Sequence, residues 1–353
     1  MSSPHAICDR EESFCGTERL TISFIIPVWN DEKNIARCLR AIRNLEFSQH
    51  HYEVIILDNG STDNTHGIIE EMGFDFKIIE KVHVSALRNR GAAMAQGEFL
   101  AFVDSDVELS PSWLGPSLAA FSDPQVVGTG CFPHVPPDST WVQRAWEIHQ
   151  KGREVKNVPA SVKWLPSMNL VVRREAFLAV GGFNEELVTA EDVDLCYRLG
   201  TKGTILGNPA MEAIHWGEAP DLSTFWKKEV WRGKGSFSGL RSHGFRWDEL
   251  PSLGYPLYIF GLCVALAVGS IWDLVQGQIL VGPICLALLV FPAGILAIRT
   301  TWCSNTMGKV LPLFVLFLLY GFARANSAVQ TLLGGFPTTA SSQASVKGDM
   351  DAH

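Results

Sequence analysis

The chain has 353 residues, 47% of them hydrophobic and 19% charged, with a formal net charge of −8. That apolar content excludes a disordered chain, and the acidic balance argues against a nucleic-acid partner, since phosphate contacts need a basic face. The charges are unevenly spread: residues 1–252 hold 25 of the 29 Lys and Arg and 34 of the 37 Asp and Glu, whereas 253–345 hold only Asp273, Arg299, Lys309 and Arg324. The distribution predicts a water-facing domain followed by a membrane domain.

Residues 1–20 are polar and aperiodic and read as a loose lead-in without the apolar core of a secretory signal, which places the following domain in the cytosol. TISFIIPVWN (21–30) reads as a buried strand stopped by Pro27, and residues 31–45 as a helix with Ile35, Leu39 and Ile42 on one face. YEVIILDNGSTD (52–63) is a second strand ending in a turn, with a helix over 64–72 and a third strand at 76–81. Residues 84–97 form a helix stopped by Gly97, and EFLAFVDSDVEL (98–109) a fourth strand. The alternation predicts an α/β fold with a mainly parallel sheet flanked by helices, whose ligands bind beyond the carboxyl ends of the strands. Asp58, Asp104 and Asp106 fall at that edge. From 110 to 220 the pattern loosens, with a loop entering a short helix over 182–203.

Residues 221–252 form a connector in which Trp226, Trp231, Phe237, Phe245 and Trp247 alternate with Lys227, Lys228, Arg232, Lys234, Arg241 and Arg246. Such a stretch suits a membrane headgroup layer, and equally a solvated, packed helix. Apolar stretches at about 253–272, 279–298 and 310–333 follow. The first two are long enough for about 30 Å of hydrocarbon. The third turns polar after Ala323 and either spans or bends along the interface. Arg299 and Lys309 in the second loop place that loop and the soluble domain on the cytoplasmic side, at the inner membrane in a bacterium. The tail, 334–353, reads as disordered. The eight cysteines contain no CxxC pair, so neither a zinc site nor a redox motif is indicated.

Several groups of residues suggest chemistry. In VDSDV (103–107), two acids just past a buried strand can reach a divalent ion held by nucleotide phosphates, although surface Asp pairs are common. Asp58 suits a base or ribose, or equally caps its own turn. AEDVDL (190–195) puts acids at a helix start, where capping is the bland reading, and His215 in AIHWG is a core histidine or a ligand.

Taken together, FIIPVWN (24–30), VIILDNGSTD (54–63), RNRGAAMAQGEFLAFVDSDV (88–107), REAFLAVGGFNEEL (174–187) and EDVDLCYRL (191–199) resemble the family 2 glycosyltransferases of the GT-A fold over about residues 21–220. The resemblance implies an inverting transfer from a nucleotide sugar, with a UDP-sugar the first expectation, to a lipid-linked or saccharide acceptor hydroxyl. It assigns Pro27, Asp58, Arg88 and Asp104 to the donor, and Asp104 and Asp106, with His215, to Mg²⁺ or Mn²⁺. Asp192 becomes the catalytic base, with Glu191 beside it. KKEVWRGKGS (227–236) lacks the QxxRW motif of processive synthases, so transfer of one or a few sugars to a cell-envelope polysaccharide or glycolipid is expected. The rivals are a nucleotidyltransferase, whose glycine-rich phosphate loop is missing from PVWNDEKN, and a non-enzymatic membrane scaffold or transport subunit.

Overall fold

A computed structural model describes residues 21–46, 52–79, 81–151, 158–243, 250–277 and 279–334. The expected lead-in and nearly all of the expected tail lie outside these residues. The first half alternates as read: β1 (Ile22–Val28), α1 (Ile35–Arg43), β2 (Tyr52–Asp58), α2 (Thr65–Glu71), β3 (Phe76–Ile78), α3 (Val84–Met94) and β4 (Phe99–Val103). Then come β5 (Val107–Leu109), α4 (Leu114–Ala120), β6 (Val126–Gly130), α5 (Trp141–Lys151), β7 (Ala160–Ser161) and β8 (Asn169–Arg173). The domain closes with α6 (Arg174–Ala179), α7 (Glu191–Leu199), β9 (Thr204–Gly207) and β10 (Ala213–His215).

Eight strands form one sheet in the order β3-β2-β1-β4-β8-β6-β9-β7. The β3-β2-β1-β4 half is parallel, while β8 runs antiparallel to both β4 and β6. β1 and β4 are buried at every position because helices cover both faces. The two-residue period sorts their side chains. Phe24, Ile26, Ala101 and Val103 pack with Ile35, Leu39 and Ile42 of α1, whereas Ile25, Leu100 and Phe102 pack with Phe177, Leu195 and Leu199 of α6 and α7.

Two details differ from the sequence expectation. β1 runs through Pro27 to Val28, because β4 pairs with β1 only as far as Ile25 and leaves that edge open, where proline is tolerated. The fourth strand is not continuous over 98–109. The chain leaves the sheet at Asp104, turns, and re-forms as β5, which pairs antiparallel with β10 in a separate two-stranded sheet.

After the domain, α8 (Leu222–His243) leads to three long apolar helices, α9 (Leu250–Gln276), α10 (Val281–Cys303) and α11 (Val310–Gly334). Segments Gly254–Gln276, Val281–Cys303 and Met307–Thr331 are long and apolar enough to cross a membrane. α11 is one continuous helix, and one face of its polar second half packs on protein: Ser327 and Thr331 are buried while Gln330 is exposed, and Gly233 of α8 lies so close that an added Cβ would come within 2.6 Å of Ser327. Trp146 of α5 and Phe225 of α8 pack with Ala293 and Ala297 of α10 and Leu316 and Phe317 of α11, so one apolar cluster joins the two parts.

Candidate active site

The break after β4 builds the site. Asp104, Ser105 and Asp106 form a tight turn closed by the Val107 amide donating to the Asp104 carbonyl at 3.1 Å. Pairing of β5 with β10 sets Val107 opposite His215, which delivers the His215 ring to Asp106 with Nε2 3.1 Å from Oδ2. Gly217 is required beside this pair, since a Cβ there would lie 1.9 Å from Asp106 Oδ2. On its other side, His215 Nδ1 lies 3.5 Å from Glu218, which is 9% exposed. Burial opposes charge on His215, but Asp106 and Glu218 outweigh it and push its pKa up to about 10. Burial likewise disfavours the Glu218 carboxylate, but His215, Arg232 and Lys228 hold it well below the ordinary range.

Arg88 joins the two acidic motifs. It is 3% exposed, donates from Nη2 to Asp104 Oδ1 at 2.7 Å, and donates from Nη1 to Glu191 Oε1 at 2.9 Å. A helix on one side of the sheet thus ties the strand-end acids to the start of α7. That helix begins after Ala190, a non-glycine residue held in the left-handed region at φ 64°, and Glu191, Asp192 and Asp194 crowd its first turn. The helix N-terminus favours those acids. Burial, then the neighbouring Glu191 charge, push the Asp192 pKa up to about 7, against the Val193 amide and Arg88, which pull it down. A carboxylate so placed can exchange a proton near neutral pH.

The sequence-derived residues are therefore not all handled alike. Asp104, Arg88, Glu191 and Asp192 converge, and Asp106 and His215 form an adjoining pair. Pro27 is buried within β1. Asp58 is 0% exposed and holds its own turn, accepting from the Gly60 amide at 2.8 Å and the Ser61 amide at 2.9 Å, with His66 Nε2 at 2.9 Å. Its carboxylate serves the turn that carries the strand end.

Asp31, His83, Ser85, Arg37 and Trp216 were not read from sequence as residues of the site. Asp31 accepts from Ser105 Oγ at 2.6 Å and so props the acidic turn from below; burial, helped by Asp106, raises its pKa although the Ser105 bond lowers it. His83, Ser85 and Arg88 lie at the start of α3, and His83 Nε2, Ser85 Oγ and Arg88 Nε are buried with no hydrogen-bond partner among the described residues. Unsatisfied buried donors of this kind are rare in a finished core and common where a ligand completes them. Arg37 stacks on Trp216 at 3.6 Å, and Trp216 donates to Glu108 at 2.9 Å, closing the outer side of the β5–β10 pair. Only the acid next to a strand end was legible for Asp31, and the others carried no local signal.

In the connector, the side chains of Phe237, Arg241, Phe245, Arg246 and Trp247 lie outside the described residues, and Trp231 is exposed. Lys227 is exposed, but Lys228 donates to the Gly217 carbonyl and Arg232 pairs with Glu229 at 2.8 Å, so both turn inward toward the site. Their spacing follows the helix: residues 228, 229 and 232 share the face packed on the domain.

Among the described residues, no group of three or more His, Cys, Asp or Glu side chains is arranged to hold a metal ion by itself. Asp106 offers an oxygen donor and His215, once an incoming cation displaces its proton, a nitrogen donor beside it, a set that fits a divalent ion whose remaining ligands come from a bound diphosphate.

Residues 23–181 match the family model described as Glycosyl transferase family 2. The chain is 32% identical over 206 residues to a pre-mycofactocin glycosyltransferase of Mycobacterium tuberculosis, a match covering 54% of this chain and 41% of that protein. It is 28% identical over 222 residues to glycosyltransferase AglE of Haloferax volcanii, covering 61% of this chain and 72% of that one. The chain thus spans less than half the length of the mycobacterial relative. A mannosyltransferase from Pyrobaculum calidifontis, solved with GDP-Man and Mn²⁺, shares the fold with a TM-score of 0.60 at 16% identity, over 90% of this chain and 89% of that one. The acids that Arg88 gathers at the sheet's edge accordingly sit in a domain of GT-A-like fold that is similar to the family 2 glycosyltransferases over residues 23–181, ahead of three helices long enough to cross a membrane.

Proposed function

We propose that the protein transfers a sugar from a nucleotide-sugar donor, with inversion, to a hydroxyl of a lipid-linked or saccharide acceptor at the membrane surface. The observation that carries this reading is Arg88, which bonds Asp104 and Glu191 at once and so brings residues about a hundred positions apart to one point. Inversion is one in-line displacement at the anomeric carbon, and it needs a base for the acceptor proton on one side and charge stabilisation for the leaving diphosphate on the other. Asp192 takes the proton from the attacking hydroxyl. Glu191, held by Arg88, keeps negative charge beside Asp192 and so keeps its basicity near neutral pH.

On the leaving-group side, Arg88 Nε is an unpaired buried donor available to a phosphate oxygen, and Ser85 and His83 offer two more polar atoms for the donor. Asp104, Asp106 and His215 would hold Mg²⁺ or Mn²⁺ with the donor's phosphates. A bound divalent ion supplies positive charge to the departing diphosphate. The charge distribution of the loops supports a catalytic domain on the cytoplasmic face, and a UDP-sugar is the first donor to test.

The test is a donor-turnover screen of the purified full chain with UDP-, GDP- and dTDP-sugars, with and without Mn²⁺ or Mg²⁺. Turnover that is lost in Asp192→Asn and in Asp104→Ala is the expected result. Turnover indifferent to both substitutions overturns the assignment.

A further inference from the structure

Beyond the proposed catalytic acids lies a line of buried and half-buried charges that runs from the site to the apolar helices. Glu229 of α8 is 1% exposed. It accepts from Arg232 Nη1 at 2.8 Å and, through its other oxygen, from Arg324 Nε at 3.1 Å and Nη2 at 2.9 Å. Arg324 belongs to α11, inside a segment apolar enough to span a bilayer, where an arginine is costly unless it has a partner. Arg232 continues the line to Glu218 at 3.9 Å, Glu218 to His215 at 3.5 Å, and His215 to Asp106 at 3.1 Å. Acid and base alternate along its whole length. Its backbone also touches the α7 approach, where Thr189 Oγ1 donates to the Arg232 carbonyl at 3.2 Å.

The distances say which link sets which. Arg232 is gripped by Glu229 at hydrogen-bond length but reaches Glu218 only at 3.9 Å, so Glu229 orients its guanidinium. Arg324 in turn holds the position of Glu229, a buried carboxylate that would be costly to leave without its partner. Partners one shell out from a metal-binding histidine tune its affinity about 10- to 100-fold.

We infer that Arg324 is a positioning residue for the donor site: through Glu229 and Arg232 it fixes Glu218, and Glu218 fixes the His215 ring against Asp106. The membrane helix is then part of the site's scaffold as well as an anchor. This inference rests on the reading of Asp106 and His215 as holders of a divalent ion for glycosyl transfer.

The experiment is an Mn²⁺ titration of the full chain in detergent with UDP present, read from the free-ion EPR signal, alongside thermal unfolding. Arg324→Met should weaken Mn²⁺ binding about tenfold and lower Tm, because Glu229 is left buried with half its partners. The double variant Arg324→Met/Glu229→Met removes both charges. Its Tm should recover, as apolar replacements of buried pairs commonly allow, while Mn²⁺ binding stays about tenfold weak because Arg232 has lost its guide. Arg324→Lys should fall between wild type and Arg324→Met. Wild-type Mn²⁺ affinity in the double variant overturns the inference, and so does a wild-type chain that binds no Mn²⁺. Donor turnover is measured separately: if Mn²⁺ affinity tracks the line of charges but no nucleotide sugar is consumed, the positioning role stands and the transfer reading falls.

Discussion

Asp192 is the residue on which function and stability pull in opposite directions. Its carboxyl releases a proton near the ordinary value of 3.8 when unfolded and near about 7 when folded. Between those values the folded state holds the extra proton, so stability falls as pH rises and levels off above about 7. As the proposed base, Asp192 would work only when ionised, so kcat/KM for transfer should climb as pH rises through about 7 and then plateau, a profile that a pH series with saturating metal will show. Asp192→Asn should lower kcat about 10³-fold yet raise Tm at pH 8 above wild type, because it no longer ionises a buried acid. A lower Tm for the variant at that pH would contradict the burial argument. The chemical type of this residue was legible in EDVDL, but its altered basicity was not. That comes from Glu191 beside it in a closed environment and from the limited reach of Arg88.

At the scale of elements, the site depends on how β4 ends. A single strand over 98–109 would have pointed Asp104 and Asp106 to the same side of one sheet. The break instead sends Asp104 to Arg88 and Asp106 to His215. Gly217 permits the second contact. Gly217→Ala should raise the donor KM and the Mn²⁺ requirement about tenfold with kcat less affected, because the added methyl displaces Asp106 rather than the base; unchanged KM would show that the turn yields freely. Behind the turn, Asn169 at the start of β8 is 0% exposed, accepts from Trp113 Nε1 at 2.8 Å, and donates toward the Cys131 and Met211 carbonyls at 3.3 and 3.2 Å. Asn169→Ala leaves that buried indole N–H unpaired and should cost about 2–4 kcal/mol in a denaturation experiment. Apolar runs and turn residues made β1, β2 and the helices between them legible. The β5–β10 pairing was not, because three-residue strands carry too few side chains to show a period.

At the scale of the whole molecule, the soluble and membrane parts share a core. Trp146 and Phe225 of the first pack with Phe317 of the second, and Glu229 takes one of its two arginine partners from α11. A chain truncated before residue 250 should therefore aggregate in size-exclusion chromatography without detergent, since it exposes that cluster and a buried acid together; a monodisperse truncated domain would show the two parts to be independent. The amino-acid sequence by itself determined the α/β alternation, the acids at strand ends and the three apolar helices, because each rests on residues close together in the chain: periodicity, breakers and uninterrupted hydrophobic length. Only the tertiary structure decided that Arg88 bridges two acidic motifs, that His215 meets Asp106, and that Lys228, Arg232 and Arg324 turn inward. The Arg88, His215 and Arg324 pairings join residues far apart along the chain, and burial there makes an unpaired charge costly.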